Sequence, residues 1–228
     1  MTTARISEIF CSIQGEGLYA GQKQVFVRFA GCDLNCAYCD EPAARGGGRK
    51  TALNDVKKKI KRLAIRENAR AVSFTGGEPL LQAKAVIELA SYAKSLGLQT
   101  HLETNGVCYR ELEKIRGAID VISADIKLPG LSGRPLWPEH KKFLALAPEK
   151  TFVKVVVTEE TAPAEFKKGV ELAASIRGDM PFYIQPVTPM GLLHPPSVRK
   201  LAMLYRLAAC KLENVRILPQ MHPLWGIK

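Results

Sequence analysis

Short apolar runs alternate with segments of helical periodicity along most of this 228-residue sequence, and few architectures accept that alternation. The runs at 25–30, 71–75, 98–103, 119–124, 152–157 and 182–185 read as strands, and a short run at 215–218 closes the series. Helical spacing is clearest at 54–66, 83–96, 163–176 and 196–211, while 45–50 is the one Gly-rich linker. Repeated strand–helix units imply a parallel sheet. Six such units fall short of the eight of a closed barrel, so the expected fold is α/β, an incomplete (β/α)6-type partial TIM barrel spanning 1–228 as one domain. In such sheets, sites gather beyond the carboxyl ends of the strands. The polar, Gly-rich clusters follow that rule: a cysteine loop after the first predicted strand, then Thr75-Gly76-Gly77-Glu78-Pro79, Glu103-Thr104-Asn105-Gly106, Ser123-Ala124-Asp125-Ile126-Lys127 and Gln185-Pro186-Val187-Thr188-Pro189. One shared rim site is the economical reading.

Composition removes several classes. With 46% hydrophobic and 24% charged residues, the chain is neither disordered, collagenous nor coiled coil. No stretch nears the ~18 apolar residues of a membrane span, and the first residues carry no apolar leader, so a cytoplasmic setting without a membrane partner is expected. The net charge is +11, from 33 Lys+Arg against 22 Asp+Glu. Its densest run, Lys57-Lys58-Lys59-Ile60-Lys61-Arg62, is flanked by Leu53, Val56, Leu63 and Ala64 at helical spacing, which makes it the solvated face of an amphipathic helix. No aromatic residues interleave with it as a stacking platform would require, so a nucleic-acid partner is not expected.

Three of the six cysteines, Cys32, Cys36 and Cys39, fall within eight residues. In a reducing compartment such a group holds metal rather than a disulfide. Structural zinc takes four ligands, and neither a fourth Cys nor a His is near, although a zinc-bearing nucleic-acid-binding module remains the alternative from another class. Three thiolates on one loop suit a 4Fe–4S cluster whose fourth iron lacks a protein ligand and is open to chemistry. Cys11, Cys108 and Cys210 lack ligand spacing and read as small buried hydrophobes.

Cys32-x3-Cys36-x2-Cys39 with Gly76-Gly77-Glu78-Pro79 resembles the radical S-adenosylmethionine (SAM) superfamily. Within it, the segments 9–17, 25–32, 103–106, 125–129, 152–157, 185–189 and 216–222 are similar, in order, to the 7-carboxy-7-deazaguanine synthase family, and the likeness runs from about residue 6 to the end. That resemblance implies a lyase that contracts the ring of 6-carboxy-5,6,7,8-tetrahydropterin to 7-carboxy-7-deazaguanine with loss of ammonia, in queuosine- or archaeosine-type 7-deazapurine biosynthesis. In the family, the reduced cluster cleaves SAM to a 5′-deoxyadenosyl radical that takes hydrogen from carbon 6 of the pterin, and SAM is regenerated. Carried over, Cys32, Cys36 and Cys39 in the loop 31–41 hold the 4Fe–4S cluster. Ile13, Gln14, Gly15, Glu16, Arg28 and Thr75 fall at substrate positions, with His222 in a tail, 214–228, that closes the site. Tyr38, Cys39, Asp40, Gly77, Ser123, Ala124, Asp125 and Gln185, Pro186, Val187 and Thr188 match SAM positions. Lys127 reaches the same site or neutralises Asp125. Glu103, Thr104 and Asn105 either start a helix with Asn as its cap or face SAM.

The family also implies Mg2+, a flavodoxin- or ferredoxin-type electron donor and a homodimer. One position departs from its pattern: Glu41 stands where Thr or Ser is usual beside the magnesium ion, and either ligates Mg2+ directly, binds it through water or changes the metal dependence. Tyr38 replaces a common Trp. A radical SAM activase of a glycyl-radical partner is the nearest alternative, but it needs neither the Gln14–Gly17 set nor Arg28.

Overall fold

Within each strand, alternate side chains fall on opposite faces, and here one face is aliphatic and the other largely polar. The computed structural model describes residues 2–227; Met1 and Lys228, the ends of the expected domain and tail, lie outside the described residues. The strands are β1 (Thr3–Ile13), β2 (Lys23–Phe29), β3 (Arg49–Ala52), β4 (Ala71–Gly76), β5 (Gln99–Thr104), β6 (Val121–Asp125), β7 (Thr151–Val157), β8 (Phe182–Pro186) and β9 (Val215–Ile217). The α-helices are α1 (Pro42–Gly46), α2 (Leu53–Glu67), α3 (Ala83–Ser95), α4 (Tyr109–Ile115), α5 (Pro129–Ser132), α6 (Trp137–Ala145), α7 (Pro163–Ile176), α8 (Val198–Ala209) and α9 (Met221–Trp225). Among the described residues the strands form one nine-stranded sheet, ordered β3-β1-β2-β4-β5-β6-β7-β8-β9. From β2 to β9 every pair is parallel, which is the expected incomplete barrel. No helix is long and apolar enough to cross a membrane, among the described residues.

The outer face of the sheet carries the core. Val25, Val27 and Phe29 of β2, Val72 and Phe74 of β4, and Val153, Val155 and Val157 of β7 pack with Ile60 of α2, Leu89 of α3, Phe166 of α7 and Leu204 of α8. Burying side chains of this size contributes roughly 1.5–3 kcal/mol each. The basic face of α2 behaves as a solvated surface: Lys58, Lys61 and Arg62 are exposed, while Lys57 reaches Glu88 of α3 at 2.7 Å.

Two strands and several short helices depart from the sequence reading. β1 extends the sheet antiparallel to β2, and β3 in turn pairs antiparallel with β1. The alternation of β1 breaks at a register shift between Ile6 and Glu8, so no clean period-2 run marks it. The supposed linker 45–50 is not a loop throughout; it ends α1 and enters β3. The first predicted strand is thus the second in the chain. Cys210 is exposed rather than buried, and Cys11 and Cys108 are half-buried against the core.

The paired glycines after β4 explain how two loops meet. Gly77 N–H donates to the Phe29 carbonyl at 3.0 Å and Glu78 N–H to that of Gly31 at 2.7 Å, which places this loop against the segment entering the cysteines. Gly76 has φ +125°, and a Cβ on Gly77 would lie 2.0 Å from the Gly31 carbonyl oxygen. Gly77→Ala should therefore destabilise the fold by about 2 kcal/mol in urea unfolding, whereas Gly46→Ala, with nothing within 4 Å, should stay within about 0.5 kcal/mol of wild type. Equal stabilities for the two variants would contradict the close-approach account.

Candidate active site

The other parity of the strands points into the barrel. At its floor, Val121, Phe152 and Tyr183 pack together with Tyr19, and beside them Gln24 Nε2 donates to His101 Nδ1 at 3.2 Å. Burial pushes His101 down to about 4, so its ring is neutral and packs as a core group. Above this floor the same faces turn polar. Arg28 of β2, Thr75 of β4, Glu103 of β5, Ser123 and Asp125 of β6, Lys154 of β7 and Gln185 of β8 line one cavity.

The cysteine loop forms one wall. Cys32, Cys36 and Cys39 are free, half-buried thiols that line this cavity beside Gly76 and Gly77. Backbone contacts hold the loop: Gly31 N–H to the Ala44 carbonyl at 2.7 Å, Ala37 N–H to that of Leu131 at 3.0 Å, and Arg45 Nη2 to that of Cys36 at 2.8 Å. Burial raises the Cys32 and Cys36 thiols. Among the described residues no group of three or more His, Cys, Asp or Glu is arranged to hold a metal ion. A cubane cluster asks something else, since each thiolate binds its own iron, and three soft donors with no fourth fit an iron–sulfur group left open at one corner.

Charges lining the same cavity are paired in a chain. Lys154 Nζ bonds Glu16 in the turn after β1 and lies 3.4 Å from Asp125 Oδ1, and Lys127 Nζ donates to Asp125 Oδ2 at 2.7 Å. Burial alone would raise both carboxyls, but Lys154 with Gln220 at Glu16, and Lys127 with Lys154 at Asp125, outweigh it and hold them below the usual range. Burial would likewise lower the lysines, and the carboxylates raise them instead. Lys127 also sits 5.1 Å over the Tyr38 ring. Glu16 accepts from Gln185 Nε2 at 3.1 Å and from Gln220 Nε2 at 2.7 Å, and Gln220 donates to Asp40 at 2.9 Å while accepting from Thr188. The end of the chain closes on the turn: Met221 N–H donates to the Gly15 carbonyl at 2.9 Å, and a Cβ on Gly15 would meet His222 Nδ1 at 2.7 Å.

A second carboxylate organises the middle of the cavity. Glu103 accepts from Gln14 Nε2, Ser73 Oγ and Thr75 Oγ1 at 2.7, 2.8 and 2.7 Å. Glu78, fully buried, accepts from Leu80 N–H, Thr104 Oγ1 and Asn105 N–H, and burial pushes it up to about 7. His140 joins the neighbouring loops, accepting from Lys127 N–H at 3.1 Å and donating to the Gly106 carbonyl at 2.9 Å.

Of the residues assigned from sequence, Ile13, Gln14, Gly15, Glu16, Arg28, Thr75, His222, Tyr38, Asp40, Glu41, Gly77, Ser123, Asp125, Gln185, Val187 and Thr188 line the cavity with the three cysteines. Ala124 and Pro186 do not; they have the parity of Ile122 and Ile184, which face the helices. Asn105 is not a helix cap, because α4 begins at Tyr109 with Cys108 at the cap position, and Asn105 Nδ2 instead donates to Asp33 at 2.8 Å. Both roles weighed for Lys127 hold together: it neutralises Asp125 and lines the cavity. Lys154 and Gln220 escaped the sequence reading, as did the aromatic wall of Phe10 and Phe26. Parity would have found Lys154, which shares a face with Phe152 and Val156.

Lys154→Met should lower stability by about 3 kcal/mol near neutral pH, because it strands Glu16 and Asp125 without their shared cation. Both carboxyls are held below their unfolded values, so the stability they carry is present above pH ~4 and disappears as pH falls through the folded values. The deficit of the variant, followed by urea unfolding, should accordingly narrow below about pH 4. A deficit independent of pH would contradict the ion-bridge assignment.

Residues 26–132 match the profile of the Radical SAM superfamily. The chain is 36% identical to the 7-carboxy-7-deazaguanine synthase of Geobacter sulfurreducens, over 98% of this chain and 97% of the relative. It is also 36% identical to that of Methanocaldococcus jannaschii, over 97% and 99%. The crystal structure of QueE from Escherichia coli shares the fold, with a TM-score of 0.61 at 19% identity over 96% of this chain and 94% of that one. The cysteine loop, the rim that collects the ends of the parallel strands from β2 to β8, and full-length likeness to these relatives agree: the chain belongs to the 7-carboxy-7-deazaguanine synthase family of radical SAM enzymes.

Proposed function

We propose that this enzyme converts 6-carboxy-5,6,7,8-tetrahydropterin to 7-carboxy-7-deazaguanine with loss of ammonia, using a 4Fe–4S cluster and SAM. The observation that carries this reading is the make-up of one cavity. Three thiols and the Gly76–Gly77 turn line it together with Gln14, Glu16, Arg28, Thr75 and Glu103. When bound, the cluster and SAM supply the one-electron chemistry that starts hydrogen abstraction from the pterin.

The chain's own residues then have separable tasks. Cys32, Cys36 and Cys39 hold the cluster. Gly77, Tyr38, Asp40, Ser123, Asp125 and the Gln185–Thr188 segment surround SAM, with Ala124 and Pro186 contributing through the backbone only. Gln14, the backbone of Ile13 and Gly15, and Glu16 read the donor and acceptor edge of the pterin. Thr75 bonds Glu103 at 2.7 Å, and that carboxylate holds Gln14 in place from the other side. Arg28 takes the substrate carboxylate in a two-pronged bond. Lys154 positions Glu16 and Asp125, and the tail with His222 excludes water above the pterin. The reading also includes Mg2+ beside Glu41, a flavodoxin- or ferredoxin-type donor and a homodimer, all three resting on the family likeness.

Anaerobic reconstitution with iron and sulfide, followed by dithionite, SAM and the carboxylated tetrahydropterin, should yield 7-carboxy-7-deazaguanine by mass spectrometry. Cys36→Ala should lose the cluster's visible absorbance and all product. An intact cluster that cleaves SAM but forms no deazapurine would overturn the substrate assignment and leave the superfamily chemistry standing.

A further inference from the structure

Cys32, the first of the three thiols, has both of its chain neighbours anchored to the loops that follow β4 and β5. On one side, the Gly31 carbonyl accepts from Glu78 N–H at 2.7 Å. On the other, Asp33 Oδ1 accepts from Asn105 Nδ2 at 2.8 Å, while Cys108 Sγ stands 4.0 Å from Oδ2 and adds little. The two anchors converge on one residue, because the fully buried Glu78 carboxylate also accepts from Asn105 N–H at 2.8 Å.

The two partners in the outer anchor differ in freedom. Asn105 is 6% exposed, and its Oδ1 accepts from Val107 N–H at 3.1 Å, which fixes the amide plane and aims Nδ2 at Asp33. Asp33 is exposed, so the bond to Asn105 is what selects one of its rotamers. Holding Asp33 also steadies the next peptide. There, Leu34 N–H bonds the Cys32 sulfur and favours its thiolate against the burial that raises it.

The geometry points to Asn105 as a positioning residue for the cluster: through Asp33 it holds the Cys32 segment against the glycine turn and keeps that thiolate in place as a ligand. A partner that orients a metal ligand typically matters about 10–100-fold for metal affinity. This rests on the assignment of the cluster to Cys32, Cys36 and Cys39 made above.

The test is iron release from the reconstituted enzyme to the ferrous chelator bathophenanthroline disulfonate, followed by absorbance without SAM so that no contact to SAM contributes. Asp33→Ala and Asn105→Ala should each release iron roughly tenfold faster than wild type, and the double variant no faster than either, since all three break one bond. Asp33→Asn keeps an oxygen for Asn105 Nδ2 and should hold iron as wild type does. Its reduced cluster should keep the wild-type electron paramagnetic resonance spectrum, whereas the alanine variants shift it. Because Asp33 is exposed, Asp33→Ala reads the bond without hollowing a buried site. Wild-type release by Asp33→Ala, additive effects in the double variant, or release by Asp33→Asn as fast as by Asp33→Ala would overturn the proposal and leave the cluster assignment standing. A wild-type protein that takes up no cluster would overturn both.

Discussion

The buried cation of Lys154 is the interaction on which the rest of the site depends. It stands on a strand whose every residue is buried and joins Glu16, in the turn after β1, to Asp125 at the end of β6. Charges removed from water are tolerated only when paired and hydrogen-bonded. Once Lys154 projects into the barrel, two carboxylates must meet it there. Glu16 then fixes Gln185 and Gln220, and Gln220 carries the restraint on to Asp40 beside the cysteines. Loops that are far apart in sequence are thereby joined into one rim above the apolar floor.

The same rim is joined in two ways. Beside the thiols, backbone-to-backbone bonds between 29–31 and 77–78 leave no room for side chains, which is why glycine occupies both close approaches. Elsewhere on the rim, polar side chains do the joining: Glu103 gathers Gln14, Ser73 and Thr75, and Glu78 gathers Thr104 and Asn105. A reactive carbon radical needs a cavity that does not rearrange around it, and carboxylates that each accept several hydrogen bonds supply that rigidity.

Much of this was legible before any coordinates, and for physical reasons. Strand ends in a parallel sheet must expose polar backbone, so glycine and polar clusters there mark the rim directly. Residues within strands were harder. Lys154 sits between valines, and a lone lysine in an apolar run reads as a surface interruption unless the inward face is traced across neighbouring strands. Ala124 and Pro186 lie outside the cavity lining for a related reason, since adjacent residues of a motif have opposite parity. β1 was hidden by its bulge, and Cys210 was misjudged because cysteine's usual burial says nothing about one position at a helix end. The excess of basic residues lies largely outside the site: Lys58, Lys61 and Arg62 are solvated, and within the cavity each lysine faces a carboxylate.

The central claim is that one cavity holds SAM against the cysteine loop and a carboxylated pterin against Arg28. An anaerobic crystal structure of the reconstituted enzyme with both molecules tests it most directly. The account predicts pterin density between the Gln14–Glu16 turn and the Thr75–Glu103 pair, its carboxylate on Arg28 and its carbon 6 facing SAM. Pterin density outside this cavity, or with its carboxylate turned away from Arg28, would contradict it.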